Sequence, residues 1–122
     1  MIDALVEQCT EAGLDVSLDV KGTPRDLPPM IELSGYRIVQ ESLTNVVRHS
    51  GATKAEVTLV RGGSNYLLTI ADNGSGLGEH PSDGGRGMLG MRERARSLGG
   101  ELTIDSRPGS GTEIRFRLPL GP

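Results

Sequence analysis

Polar residues that could hold a ligand occur at every fourth position along one predicted helix and form a row. The row consists of Arg37, Glu41, Asn45 and His49, with Arg48 beside it. Intervals of four residues place its members one helical turn apart on a single face. The side-chain oxygens of Glu41 and Asn45 are hard ligands of the kind that Mg²⁺ prefers. Taken by itself, such a row is more often only the solvated face of a helix.

An acidic residue followed by glycines ends one of the predicted strands. Asp72 shares a strand face with Leu68 and Ile70, so its carboxylate should point toward apolar surroundings. A buried carboxylate needs a hydrogen-bonded partner, and the exocyclic amine of adenine would supply one. Gly74 and Gly76 would allow a flat ring to approach the backbone closely. The simpler interpretation is an ordinary Asp-x-Gly turn.

A glycine-rich segment, residues 84–90 (GGRGMLG), opens another predicted helix. Free backbone N–H groups at the start of a helix favour phosphate, and glycine permits its close approach. Gly90 falls inside that helix, where glycine is about 1 kcal/mol less favourable than alanine, which suggests a packing or ligand reason. A flexible loop with a glycine-tolerant helix start is the alternative.

The same glycines spell Gly-x-Gly-x-x-Gly from Gly85 to Gly90, and Asp105 follows Gly85 by 20 residues. This is the spacing of a dinucleotide-binding fingerprint, which must directly follow a strand. Here residues 80–84 (HPSDG) precede the glycines, and no second crossover unit remains before the last residue. The context therefore argues against the dinucleotide fold.

The hydrophobic pattern predicts the elements that position these motifs. Helices are predicted over residues 1–12, 30–49 and 88–98, and strands around residues 16–20, 55–59, 66–72, 102–104 and 114–118. Residues 73–87 are too rich in Gly, Pro, Ser and Asp for regular structure. Two tight hairpins predict a mixed, mostly antiparallel sheet with helices on one face, which is a two-layer α/β sandwich.

Composition limits the class of protein. A chain of 122 residues, 35% hydrophobic and 24% charged, fits one folded domain with one core and excludes low-hydrophobicity disorder. No apolar run approaches the roughly 20 residues of a membrane span. One cysteine excludes an internal disulfide and fits a reducing cytoplasm. A net charge of −3 argues against nucleic acid as the main partner.

Three ordered motifs together resemble a known family. Glu41…Asn45, Asp72-x-Gly74-x-Gly76 and Gly85-x-Gly87-Met88-Leu89-Gly90-Met91 resemble the N, G1 and G2 boxes of the ATP-binding domain of sensor histidine kinases. That domain belongs to the wider family shared with gyrase, Hsp90 and MutL. Residues 41–50 (ESLTNVVRHS), 90–94 (GMRER) and 109–112 (GSGT) resemble the NarX/DesK-like branch. The resemblance implies a Bergerat-type fold over residues 1–122, with a flexible ATP lid at about residues 77–87.

The resemblance also implies roles for individual residues. Asn45 would ligate the Mg²⁺ that bridges the phosphates, and the N-box acid Glu41 would support it, so these two are the expected catalytic and metal-binding residues. The Asp72 carboxylate would accept a hydrogen bond from the adenine amine, and the Thr112 hydroxyl would assist Asp72 through a water. The full expected ATP-binding set is Asn45, Arg48, His49, Asp72, Gly74, Gly76, Gly85, Arg86, Gly87, Met88, Leu89, Gly90 and Thr112.

The implied function is to bind Mg·ATP and present the γ-phosphate to a histidine on a separate dimerisation and phosphoacceptor domain. His49 belongs to the N box and His80 to the lid, so neither is the expected acceptor. We therefore expect a monomeric, cytoplasmic domain, either a fragment of a longer, sometimes membrane-anchored kinase or a free-standing relative. It should bind ATP without autophosphorylating, because sensor and acceptor domains are absent from these residues.

The further partners implied are limited to signalling proteins. A response regulator would receive the phosphate indirectly, and no contact with nucleic acid or membrane is expected from this segment. Two other functions share the fold: an anti-sigma-factor-type serine kinase and a non-catalytic nucleotide-binding docking module. The helix sequence Met91-Arg92-Glu93-Arg94 argues against the serine kinase, whereas phosphotransfer to a separately supplied acceptor would distinguish the first function from both.

Overall fold

A computed structural model describes residues 2–22, 29–47, 51–62, 65–74, 82–107 and 111–119. Within them the chain forms the helices α1 (Ile2–Glu11), α2 (Pro29–Asn45) and α3 (Ser82–Ser97). The strands are β1 (Asp15–Lys21), β2 (Lys54–Gly62), β3 (Asn65–Asp72), β4 (Glu101–Arg107) and β5 (Gly111–Pro119). None of these helices is long and apolar enough to cross a membrane.

The strands form one sheet with the order β1-β2-β3-β5-β4. β1 and β2 are parallel, whereas every other neighbouring pair is antiparallel. Parallel neighbours require a crossover connection, and α2 provides it. The predicted order of elements and the mostly antiparallel sheet are therefore confirmed.

One face of the sheet is buried and the other is exposed, because side chains alternate along each strand. On β5, for example, Ile114 and Phe116 are buried while Arg115 and Arg117 are exposed. The helices complete the core over the buried face with Leu5, Ile38, Val39, Leu43, Val46, Met91 and Ala95. This arrangement is the two-layer sandwich that the sequence predicts.

The topology brings the ends of several elements together. α2 runs back from the end of β1 to the start of β2, where β3 also ends, since Ala55 pairs with Asp72. α3 starts beyond the same end of β3 and returns to the start of β4. β4 ends and β5 begins at that edge too, where Ser106 pairs with Thr112. We call this end of the sheet, where Ala55 pairs with Asp72 and Ser106 pairs with Thr112, the upper end.

The predicted helix boundaries need two corrections. Irregular structure was expected through residue 87, but α3 already begins at Ser82. Serine and aspartate, which stand at positions 82 and 83, are favoured at helix N-termini, and this start outweighs the low propensity of the following glycines. α2 ends at Asn45, and residues 46 and 47 continue it as a π-type turn. The predicted continuation over residues 48 and 49 lies outside the described residues.

Asn73 joins the end of β3 to the start of β2 through its side chain. Its Oδ1 accepts hydrogen bonds from the backbone N–H groups of Thr53 and Lys54, each at 3.0 Å. Its Nδ2 donates to the Thr53 hydroxyl at 3.0 Å, and its own backbone N–H donates to the carbonyl of Lys54 at 3.2 Å. Asn73 thereby fixes the backbone directly beside Asp72.

Gly111 allows β5 to approach β3 at the upper end. Its φ is +91°, and a Cβ added there would overlap the backbone carbonyl of Asp72. L-residues other than glycine are strained at such a φ. Both the conformation and the close approach therefore require glycine at this position.

We predict that Gly111→Ala destabilises the domain more than Gly99→Ala does. Gly99 has a similar φ of +83°, but nothing lies within 4 Å of an added Cβ. Both variants should lose about 1–2 kcal/mol to backbone strain. Gly111→Ala should lose at least about 1 kcal/mol more, because β5 must move away from Asp72. Urea unfolding of the two variants measures the difference, and equal losses would contradict the prediction.

We predict that Asn73→Ala lowers the free energy of unfolding by about 1–3 kcal/mol, because three side-chain hydrogen bonds are lost. The matched control is Asn73→Asp, whose carboxylate still accepts from both backbone N–H groups and should retain most of the stability. Urea unfolding measures both variants. Wild-type stability of Asn73→Ala would show that this side chain does not fix the strand ends.

Candidate functional site

A row of polar side chains crosses the buried face at the upper end of the sheet. Ser106 on β4 pairs with Thr112 on β5, and Thr112 directly precedes Glu113, whose partner on β3 is Ala71, the residue before Asp72. The next rows toward the middle of the sheet are apolar and contain Val57, Ile70, Ile114, Ile104, Leu59, Leu68, Phe116 and Leu102. Asp72, Thr112 and Ser106, which we call the polar row, thus border an apolar core.

The backbone holds the carboxylate of Asp72 in place. The N–H of Gly74 donates to its Oδ1 at 2.8 Å, and the N–H of Thr112 donates to the same carboxylate. Partial burial raises the pKa of Asp72 above its ordinary value of 3.8, although these two hydrogen bonds lower it in part. A carboxylate offers about four acceptor positions, so capacity remains for a donor from a ligand.

Thr112 contacts Asp72 through its backbone N–H. The assistance of the Thr112 hydroxyl through a water, which the resemblance implies, stays a prediction. The Thr112 side chain is buried, and its hydroxyl lies 3.0 Å from the hydroxyl of Ser106. The sequence analysis missed Ser106, although its alternation with Leu102 and Ile104 marks a hydroxyl on the inward face of β4.

Asn45 lies at the last residue of α2, at the upper end. Its Nδ2 is buried and has no hydrogen-bond partner among the residues described. The nitrogen and oxygen of a carboxamide are assigned from their hydrogen-bond partners, and a half-turn of the group exchanges them. The Asn45 side chain can therefore present either atom to a ligand. An orphaned buried polar atom is unusual and indicates that a partner is missing.

Glu41 lies one turn before Asn45 and is only partly exposed. It lines a groove of about 280 Å³ between α2 and α3, together with Arg37 from the predicted row and Arg94 from α3. The part of the row formed by Arg37 and Glu41 therefore borders a concave surface. The groove brings one carboxylate and two guanidinium groups to the side of α2 that faces α3.

Glu41 and Asn45 are compatible with a divalent ion whose remaining ligands are oxygens from phosphates and water. Among the described residues, no group of three or more His, Cys, Asp or Glu side chains could bind a metal alone. Glu41 and Asn45 would supply two hard oxygens. Mg²⁺ commonly takes only one or two protein ligands and completes its shell with phosphates and water. The residues therefore fit a phosphate-bound Mg²⁺.

α3 is joined to α2 below the site by a buried contact. The Ser42 hydroxyl donates to the sulfur of Met91 at 3.7 Å, and both side chains are almost fully buried. The backbone places the predicted residues Gly85, Arg86, Gly87, Met88 and Leu89 in the first half of α3. The Ser42–Met91 contact thus connects the helix of Glu41 and Asn45 to the helix that carries the glycine motif.

Several predicted residues differ from the expectation or are untested. Gly90 is exposed, and nothing lies within 4 Å of a Cβ added there, so a packing reason for this glycine is wrong, whereas the alternative ligand reason stays a prediction. Gly74 is buried and contributes its N–H to Asp72. Arg48, His49 and Gly76 lie outside the described residues, as does the part of the predicted lid at 77–81, so their roles stay predictions.

Comparisons with known proteins agree with this geometry. The family described as histidine kinase-, DNA gyrase B- and HSP90-like ATPase matches residues 31–122. The chain is 40% identical over 118 residues to the sensor histidine kinase YxjM of Bacillus subtilis, covering 95% of this chain and 29% of YxjM. It is 34% identical over 109 residues to the nitrate/nitrite sensor protein NarX of Escherichia coli, covering 88% of this chain and 18% of NarX.

Solved structures show the same fold. The histidine kinase domain of the blue-light activated kinase EL346 from Erythrobacter litoralis superposes with a TM-score of 0.75 at 25% identity, covering 97% of this chain and 57% of that chain. The histidine kinase AdeS of Acinetobacter baumannii superposes with a TM-score of 0.74 at 19% identity, covering 99% and 66%. The chain therefore belongs to the histidine kinase-, gyrase- and HSP90-like ATPase family, as an ATP-binding catalytic domain of the histidine kinase type.

Proposed function

We propose that this domain binds Mg·ATP and presents the γ-phosphate for transfer to a histidine on a separate dimerisation and phosphoacceptor domain. The observation that carries the proposal is the Asp72 carboxylate, which two backbone N–H groups fix at the border of the apolar core. An exocyclic amine would donate to the remaining acceptor positions of Asp72. Apolar side chains beside it would contact the faces of the adenine ring.

The start of α3 and the end of α2, both at the upper end of the sheet, would bind the phosphates of ATP. The first N–H groups of α3, which include that of Gly84, have no intrahelical partner and favour an anion. Asn45, at the end of α2, and Glu41, one turn earlier, would hold Mg²⁺ with the phosphate oxygens. When bound, the ion would neutralise the negative charge that develops as phosphate is transferred.

The contribution of this chain to phosphotransfer is mainly positioning. Asp72 fixes the base, and the α2 and α3 ends orient the phosphates, so that the γ-phosphorus faces outward. A nitrogen of the acceptor histidine would form the new bond to this phosphorus while the bond to the β-phosphate oxygen breaks and ADP leaves. Residues 77–87 would close over the phosphates before transfer and open for ADP release.

The named relatives guide the choice of acceptor and partners. YxjM is a sensor histidine kinase, which favours a histidine acceptor over the serine acceptor of anti-sigma-factor kinases. This chain spans less than a third of either YxjM or NarX, so the acceptor domain would come from outside these residues. We further propose a cytoplasmic domain that is monomeric in isolation and whose phosphate reaches a response regulator.

We predict that the domain binds ATP and that Mg²⁺ strengthens the binding. Asp72→Asn should weaken binding at least about tenfold, since a hydrogen bond to a charged group contributes roughly 1.5–3 kcal/mol. Asn45→Ala should remove most of the gain from Mg²⁺ while leaving metal-free binding nearly unchanged. The matched control is Asp105→Asn, an exposed carboxylate on the opposite face of the sheet. Isothermal titration calorimetry with and without Mg²⁺ measures all four proteins.

The second part of this test supplies the phosphoacceptor domain of a sensor histidine kinase with γ-labelled ATP. The wild-type domain should produce acid-labile, alkali-stable phosphohistidine on the acceptor and none on itself, and Asp72→Asn should produce little. ATP binding without transfer to any acceptor would favour a docking module. Unchanged ATP affinity in Asp72→Asn would contradict the proposed site.

We predict that Asp72 destabilises the ligand-free fold as it ionises. Because its pKa is raised above 3.8 in the folded state, the native protein binds this proton more tightly than the unfolded chain. The difference in unfolding free energy between wild type and Asp72→Asn should therefore fall as pH rises from 3.8 through the raised pKa, and then stay constant. Urea unfolding from about pH 3 to pH 7 measures it. A difference that rises with pH would contradict the assignment.

A further inference from the structure

The polar row contains a hydroxyl pair that Asp72 recognition alone does not explain. The oxygens of Ser106 and Thr112 lie 3.0 Å apart, and either could be the donor. The pair is in register at the upper end of β4 and β5, and Thr112 is next to Asp72 in the row. The inward-facing residues before Ser106 on β4, Leu102 and Ile104, are apolar, so the Ser106 hydroxyl interrupts an otherwise apolar face of this strand.

We propose that Ser106 is a positioning residue for purine recognition, which donates its hydrogen to the Thr112 hydroxyl and thereby directs the Thr112 hydrogen toward the base beside Asp72. The inference rests on the proposed function, because it concerns the same nucleotide site. It assigns a role to a residue that touches the nucleotide only through Thr112.

The direction of the hydrogen bond follows from electrostatics. Thr112 contacts the carboxylate of Asp72 through its backbone N–H and the hydroxyl of Ser106 through its side chain. The negative charge orients neighbouring O–H dipoles with their hydrogens toward it, and this orientation passes along a chain of hydroxyls. Ser106 therefore acts as the donor to Thr112, and the Thr112 hydrogen is left for the side where Asp72 and the base edge lie.

This orientation matches adenine and opposes a 6-oxopurine. Adenine presents an amine donor next to a ring nitrogen acceptor, so an acceptor at Asp72 and a donor at Thr112 complement it, directly or through a water. Hypoxanthine presents a carbonyl acceptor next to an N–H donor, so both groups are mismatched. Without Ser106, the Thr112 hydroxyl could rotate and accept from that N–H instead.

The test compares ATP with inosine triphosphate by calorimetry in wild type and Ser106→Ala. We expect Ser106→Ala to weaken ATP binding by about three- to tenfold while inosine triphosphate binding is unchanged or improved. The ratio of the two dissociation constants should shrink accordingly. Ser106→Thr keeps the hydroxyl and should restore the ratio. Thr103→Ala removes an exposed hydroxyl from the opposite face of β4 and should leave the ratio at its wild-type value.

The outcomes separate this inference from the proposed function. An equal loss for both nucleotides would indicate a general structural role, and an unchanged ratio would remove any role for Ser106 in discrimination; either overturns the inference. Asp72→Asn is titrated in parallel, because ATP affinity that does not depend on Asp72 would instead contradict the proposed function. Should Ser106→Ala fail to fold in a thermal unfolding scan, Ser106→Cys, with its weak S–H donor, should give an intermediate ratio.

Discussion

The site depends on holding one carboxylate at the border of an apolar core by hydrogen bonds from the backbone. Backbone N–H groups of Gly74 and Thr112 do this for Asp72. Backbone donors are held by the strands, so they fix the position of the carboxylate more closely than a flexible lysine or arginine would. They also leave the carboxylate ionisable and only partly satisfied, which a close ion pair would not. A ligand amine can therefore contribute to binding there.

That arrangement requires accurate placement of two strand ends. Gly111 lets β5 approach the carbonyl of Asp72, and Asn73 fixes the end of β3 to the start of β2. The same topology places the end of α2 and the start of α3 at this edge of the sheet. A crossover between parallel β1 and β2 leaves α2 no other direction. Base recognition and the phosphate-facing elements thus derive from one set of strand pairings.

Periodicity was enough to predict the parts of the fold that depend on burial. Alternation predicted that Asp72 shares a face with Ile70, and the structure places both on the buried side of β3. The pattern failed where local chemistry decides. The start of α3 at Ser82 depends on residue types favoured at helix ends within a glycine-rich segment. Ser106 was missed because its link to the site depends on the hydroxyl contact with Thr112 on the neighbouring strand, and periodicity does not identify cross-strand partners.

The polar row shows why the site is a compromise between stability and binding. Burial raises the pKa of Asp72, so ionisation opposes folding in the absence of ligand. Replacing the row by apolar residues would extend the core that Ile70 and Ile114 begin. It would also remove the side-chain donors and acceptors that the polar row presents to a base. A ligand amine beside the carboxylate restores a hydrogen bond that burial took from water, so the feature that weakens the empty domain strengthens the occupied one.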